Sequence, residues 1–379
     1  MGNIDAGLIE LRHLLHRNPE LSGMENSTST TILNHITGYE PNRLITSLGG
    51  NGIAAEFTGS EQGPRILLRC DMDALPINEI MDIPHNSITD GVSHKCGHDG
   101  HMTIMMGVAA RLHENHPARG SIVLLFQPAE ETGEGALRVI TDSKFVDIEP
   151  DFAFALHNLP GFPLGSIILK NGVFASASRG IVVELTGVPS HASEPHMGRN
   201  PALAVAQLIE AFTNLSQTPV SSDDPAMATV IHARVGERAF GTSPSEGCVM
   251  ATLRARSTET MDTISERAEE IADAIAKTHK LECRISWTNE FPVTNNSEEA
   301  VNAIRTAAGN LGLKIVRPVA SFPWSEDFSH FTMKYPGALF GIGAGTGTPA
   351  LHSPQYDFPD ELIAEGVDIF IEIINELLN

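Results

Sequence analysis

Cys96 and His98 stand one residue apart in the run His94-Lys-Cys96-Gly-His98-Asp99-Gly-His101, the densest collection of chemistry-bearing residues in the chain. Read as an extended segment, this run projects both side chains to one face. A thiolate beside an imidazole suits zinc or a similar borderline cation. It equally suits a thiol nucleophile with its base, so both chemistries stay open on these residues alone. A second group follows an apolar run, where Ser121–Phe126 leads into Gln127-Pro128-Ala129-Glu130-Glu131. Neighbouring carboxylates in an extended turn point different ways, so one can bind a metal while the other faces the attacking water as general base. His157 closes the apolar run Phe152–Leu156, and His352 stands in Ala350-Leu-His-Ser-Pro354. Together Cys96, His98, Glu131, His157 and His352 offer N, O and S donors enough for two cations. Asp71 and Asp73, after Arg65–Cys70, add carboxylates that can ligate or orient a ligand from behind.

Two further motifs carry less. The glycine run Gly341–Gly347 misses the dinucleotide fingerprint, because its third glycine would fall on a threonine and no helix follows. It reads as backbone close to a substrate. In Ser190-His191-Ala-Ser-Glu-Pro195-His196, two histidines precede a helix start and offer an anion contact.

The elements that must position these residues are legible. Gly52–Phe57, Arg65–Cys70, Ser121–Phe126 and Phe152–Leu156 are short, apolar and bounded by Gly or Pro, the pattern of buried strands. Met102, Met105, Ala109 and Leu112 recur at helical spacing between them, and Leu8, Leu11 and Leu15 mark an N-terminal amphipathic helix. Such alternation predicts an α/β fold, with a mixed, largely parallel sheet and helices on both faces. Ligands bind at the carboxyl ends of strands in such sheets.

The pattern changes near Ala177. Arg179–Leu185, Ala228–Val235, Cys248–Arg254 and Glu282–Trp287 read as strands, with helices after Asn200-Pro201 and over Met261–Ala276. That order is βαββαβ, the split unit of a small ferredoxin-like α+β domain. The expected organisation is a catalytic domain of residues 1–176 and 289–379, ending in the helix Asp360–Leu378, with residues 177–288 inserted.

Composition narrows the function classes. The chain has 379 residues, 25 of them Lys or Arg against 47 Asp or Glu, for a net charge of −22. A nucleic-acid or anionic-membrane partner is not expected of such a surface. No apolar run approaches the roughly 20 residues that span a bilayer, and the N-terminus lacks a signal-peptide pattern. Four irregularly spaced cysteines make no disulfide framework. These features predict a cytoplasmic protein.

Several strings resemble the aminoacylase/carboxypeptidase-type dinuclear metallopeptidase family, above all its amidohydrolase branch of hippurate hydrolases, auxin-amide hydrolases and N-acyl-amino-acid deacylases. They are LLRCDMDALPI (67–77), HKCGHDGHMTIMMGVAA (94–110), LLFQPAEETGEGA (124–136), ALHNLPGFPLGSI (155–167), SHASEPHMGRNP (190–201), SEDFSHF (325–331) and LHSPQYDF (351–358). The resemblance implies a zinc-exopeptidase-like fold whose insert is a lid and dimerisation domain. It implies two divalent ions, zinc or manganese with cobalt or nickel as alternatives, held by Cys96, His98, Glu131, His157 and His352. Glu130 is then the general base, Asp73 a supporting carboxylate, and His196 an oxyanion donor reaching the partner subunit of a homodimer or higher homo-oligomer. His191 and Arg254 become substrate contacts. One departure stands out, because Gly241 occupies the place of the family's substrate-contacting Asn. The implied reaction is hydrolysis of an N-acyl-amino acid or similar small amide, with carboxypeptidase or dipeptidase chemistry as the alternative.

Overall fold

Four apolar strands that run toward the candidate residues lie side by side and parallel: Arg119–Gln127, Glu61–Asp71, Phe152–Leu159 and Gly337–Gly343. Their central residues, including Leu67, Leu124, Phe154 and Phe340, are fully buried. Continuous apolar runs are what a parallel sheet covered on both faces requires. This computed structural model describes residues 6–215 and 226–378.

The chain divides into two units. The first comprises residues up to Phe174, Thr294–Ala320 and Glu326 onward. Its mixed eight-stranded sheet runs in the order Arg43–Leu48, Gly52–Thr58, Arg119–Gln127, Glu61–Asp71, Phe152–Leu159, Gly337–Gly343, Ile167–Ile168, Ile315–Val316. The first two strands and the Gly337–Gly343/Ile167–Ile168 pair are joined antiparallel. The helices Ala6–Arg17, His98–Glu114, Glu298–Asn310 and Leu362–Leu378 bury Leu11, Met105, Ile304 and Ile369 in one apolar core with the sheet. All four parallel strands deliver their carboxyl ends to one side. There the chain continues into Asp73, Glu130 and Glu131, His157, and the loop of His352.

The second unit comprises Ala175–Val293 and Ser321–Ser325. Its four antiparallel strands lie in the order Met227–Val235, Glu246–Ala255, Ala177–Thr186, Glu282–Phe291. Strict alternation of burial along Glu246–Ala255 marks a sheet with one covered face. The helices Ala202–Leu215 and Thr258–Thr278 bury Leu208, Phe212, Ile264 and Ala268. Asn200 Oδ1 accepts the Ala202 N–H at 2.9 Å, the cap its position before Pro201 predicts. This unit is wider than residues 177–288, because the last strand runs to Phe291 and the Ser176 N–H donates to the Phe322 and Trp324 carbonyls.

No helix among the described residues is long and apolar enough to cross a membrane.

Candidate metal centre

Gly97 shapes the first ligand segment. It adopts φ +94°, and a Cβ there would meet Asn158 Oδ1 at 2.6 Å, so only glycine fits. The segment is therefore a turn rather than the extended run its spacing predicts, and His98 opens the helix His98–Glu114. The turn still brings the pair together. Donor atoms of Cys96, His98 and His157 lie within 4.8 Å of one another, as do those of Cys96, Glu131 and His352. Cys96 belongs to both triplets.

The opposite faces of these residues are fixed. His98 Nδ1 donates to the Asp73 carbonyl at 2.8 Å, and His157 Nδ1 donates to the Asn158 carbonyl at 2.9 Å. His157 Nε2 turns to the Cys96 sulfur at 3.5 Å. His98 Nε2 and Glu131 Oε1 are buried without a hydrogen-bond partner, 3.9 Å apart. His352 Nε2 lies 3.7 Å from the same Glu131 oxygen. Orphaned polar atoms in a buried site carry a desolvation cost. A set of N, O and S donors around them, with second nitrogens held by carbonyls, fits divalent cations.

The two glutamates both reach the same group of donors. An oxygen of each lies within 4.8 Å of a His98 nitrogen. The turn explains this, since Ala129 takes φ +56° with its N–H donating to buried Glu25 at 2.8 Å. His352 also sits at positive φ, +63°, with its N–H donating to the Lys95 carbonyl at 2.8 Å. Left-handed backbone at non-glycine residues costs about 1–3 kcal/mol and gathers at functional sites.

Charge separates their environments. Burial, then Glu326, Glu131 and Asp327, raises the Glu130 carboxyl well above the usual range, against a lowering by Arg69. Burial also raises Glu131, to about 8, while His98 opposes it. Asp73 is held low by the His98 and Ser22 hydrogen bonds despite burial. Its Oδ2 accepts from Ser22 at 2.6 Å and from the Glu131 N–H at 3.0 Å, tying the strand end to the glutamate turn.

Behind them lies a hub that joins residues distant in sequence. Buried Arg69 pairs with Asp71 at 2.7 Å, Glu326 at 2.9 Å and Asp327 at 2.7 Å. Asp327 also accepts from Gln127 and from the Ala136 N–H. Asp71 in turn holds His101 Nδ1 at 2.7 Å, and with His98 and His101 forms another candidate donor triplet. Glu326 and Asp327 fall in the SEDFSHF string, whose two acids were the available signal.

Within the glycine run, Gly341 and Gly343 have a packing role, while Gly347 has open space around it. A Cβ on Gly341 would lie 2.3 Å from Leu159 Cδ1, and one on Gly343 would lie 2.0 Å from the Pro163 carbonyl oxygen.

His191, His196 and Arg254 belong to the second unit. His191 is exposed, its Nδ1 bonded to Ser193 Oγ at 2.6 Å, and His196 is exposed on the short turn Pro195–Met197. Arg254 Nη1 donates to the Pro323 carbonyl and to Ser325 Oγ, at 3.1 and 3.0 Å. Gly241 has open space around it, and its carbonyl accepts the Ala192 N–H at 3.1 Å.

Residues 67–376 match the model of peptidase family M20/M25/M40. The chain belongs to that family. This M20 chain is 31% identical over 380 residues to an N-acetyl-L-cysteine deacetylase of Bacillus subtilis, covering 100% of the chain and 90% of the relative. It is 30% identical over 371 residues to a hippurate hydrolase of Campylobacter jejuni, covering 96% and 94%. A Bacillus subtilis crystal structure described as a dinuclear metal-binding peptidase of the M20 family superposes with a TM-score of 0.81 at 27% identity, covering 98% of this chain and 97% of that one. The M20 chain is a metal-dependent amidohydrolase.

Proposed function

We propose that the enzyme hydrolyses the amide of an N-acyl-amino acid, or a closely related small amide. The observation that carries this reading is the pair of donor triplets sharing Cys96. Cys96, His98, Glu131, His157 and His352 would hold two divalent ions, zinc or manganese before cobalt or nickel. When bound, such ions supply Lewis acidity toward the amide carbonyl and the attacking water. Glu130 accepts the water's proton on its carboxylate and returns it to the leaving nitrogen. Burial and the acidic neighbours Glu326, Glu131 and Asp327 raise its affinity for a proton, the direction that a residue storing the water's proton needs. Asp73 keeps His98 and the Glu131 backbone in register.

The deacetylase and hippurate hydrolase relatives support an acylated amino acid as the substrate. The peptidase description of the Bacillus subtilis structure favours a second reading, a carboxypeptidase or dipeptidase on the same centre. A panel of N-acetyl- and N-benzoyl-amino acids run against dipeptides separates them. After chelation and readdition of zinc, manganese, cobalt or nickel, the acyl-amino acids are expected to lead in kcat/KM by at least about tenfold, a difference of roughly 1.4 kcal/mol in transition-state binding. Faster turnover of dipeptides would put the second reading first.

The inserted unit is proposed as a lid and dimerisation domain. The strand Met227–Val235 ends its sheet and is largely exposed, with Ile231 at its middle and Leu203 exposed on the helix Ala202–Leu215. A second copy pairing antiparallel along such an edge buries it symmetrically. Free, scattered thiols suit a cytoplasmic enzyme.

His196 is the proposed oxyanion donor. His196→Ala is expected to lower kcat by about 10²–10³-fold with KM little changed, as for other donors realised mainly in the transition state. Metal content should stay intact. Mixing this variant with Glu130→Gln regains activity if the histidine serves its partner's site. Subunit exchange without recovery overturns the role across the dimer, leaving His196 to act within its own chain or not at all.

A further inference from the structure

Arg12 and His16 lie on the helix Ala6–Arg17, ahead of the stretch matched to the family, and both side chains are buried. Nothing in the mechanism uses them. Arg12 Nη1 donates to Asp99 Oδ2 at 3.1 Å and to Asp357 Oδ1 at 2.9 Å, and its Nε pairs with Asp360. His16 Nδ1 faces the same Asp99 oxygen at 2.8 Å, and its Nε2 faces Glu79 Oε1 at 3.0 Å. That Glu79 oxygen also pairs with Lys95, whose Nζ donates to the Tyr356 carbonyl at 2.8 Å.

The placement of these partners is what matters. Lys95 precedes Cys96 and Asp99 follows His98, so His16, directly at Asp99 and through Glu79 at Lys95, joins the two ends of the five-residue segment that carries both donors. Arg12 ties that turn to the segment after His352, whose N–H already bonds the Lys95 carbonyl. Two donor-bearing stretches thus converge on Arg12 and His16 of the first helix. His16, Asp99 and Asp357 could themselves be taken for a metal cluster. The Arg12 guanidinium, bonded to both carboxylates, already supplies their positive charge.

We infer that Arg12 and His16 are positioning residues for the metal centre, acting through the Lys95–Asp99 turn and the segment after His352. The inference rests on Cys96, His98 and His352 being ligands. Groups that orient ligands from behind typically change metal affinity by about 10–100-fold when removed.

The test measures Zn²⁺ affinity of the full chain by competition with a chromogenic chelator, alongside KM at saturating metal and thermal unfolding of the metal-free protein. Arg12→Met and His16→Gln are expected to weaken Zn²⁺ binding by about 10–100-fold, with KM within about threefold of wild type. Arg12→Lys keeps the charge but not the fork, and recovers part of the loss. Ile32→Ala, a core truncation that touches none of the polar groups named above, lowers stability without moving affinity, and exposed Arg111→Met moves neither. If Arg12→Met fails to fold, His16→Gln and Asp360→Asn decide. Folded Arg12, His16 or Asp360 variants with wild-type Zn²⁺ affinity, beside a Cys96→Ala variant that loses it, overturn the positioning role. Wild-type affinity in Cys96→Ala as well overturns the ligand assignment beneath it.

Discussion

Glu130→Gln is expected to lower kcat by about 10²–10⁴-fold, equivalent to about 3–5 kcal/mol of barrier, with metal content unchanged. The amide keeps the size of the side chain and one acceptor oxygen, so the Asp327 N–H at 3.4 Å keeps a partner. What it loses is the ability to take a proton. Glu131 differs, because its unpartnered Oε1 lies close to both His98 and His352. Glu131→Gln therefore weakens metal binding first and activity as a consequence. Elemental analysis beside single-turnover rates separates the two. Metal loss in Glu130→Gln with activity retained would exchange their roles.

The candidate donors Glu131 and His157 were legible because each stands at or just past the end of an apolar run, and in a parallel sheet the run's end is where a site lies. Ser121–Phe126 and Phe152–Leu156 show this directly. The local geometry was not legible. No periodicity announces the left-handed backbone at Gly97 and Ala129, yet those two turns decide how Cys96, His98 and both glutamates meet. The helix Asn26–Thr37 gave no signal, since its sequence NSTSTTILNHIT is rich in weak helix formers and buries only Thr28, Ile32 and Ile36. Arg69 and Asp327 are 258 positions apart, so their pairing exists only in the fold. The packing role of Gly341 and Gly343 was hidden for a related reason. A glycine's meaning depends on what would strike its missing Cβ, and for Gly341 that is Leu159, another strand's side chain.

The choice between metal ligand and thiol nucleophile for Cys96, open in the sequence, turns on its surroundings. A nucleophilic cysteine needs neighbours that stabilise the thiolate, such as a cationic side chain or a helix N-terminus. Cys96 stands just before the helix His98–Glu114, yet burial, then Glu131, Glu130 and Asp71, push its thiol well above its ordinary range. Such a sulfur is a poor nucleophile by itself, and a cation bound between the two triplets is what would favour its thiolate. Cys96→Ala should therefore weaken metal binding by about 10²–10³-fold, taking one ligand's share as roughly a quarter of the 10–16 kcal/mol typical of a four-ligand zinc site. Cys96→Asp supplies a carboxylate that can ligate a divalent ion but cannot attack a carbonyl as a thiolate does. On the metal reading it should regain much of the binding and part of the activity that Cys96→Ala loses. On the nucleophile reading both variants are equally dead and a chelator leaves the wild type untouched. Measuring Zn²⁺ affinity and turnover across the three proteins, with and without chelator, decides between them.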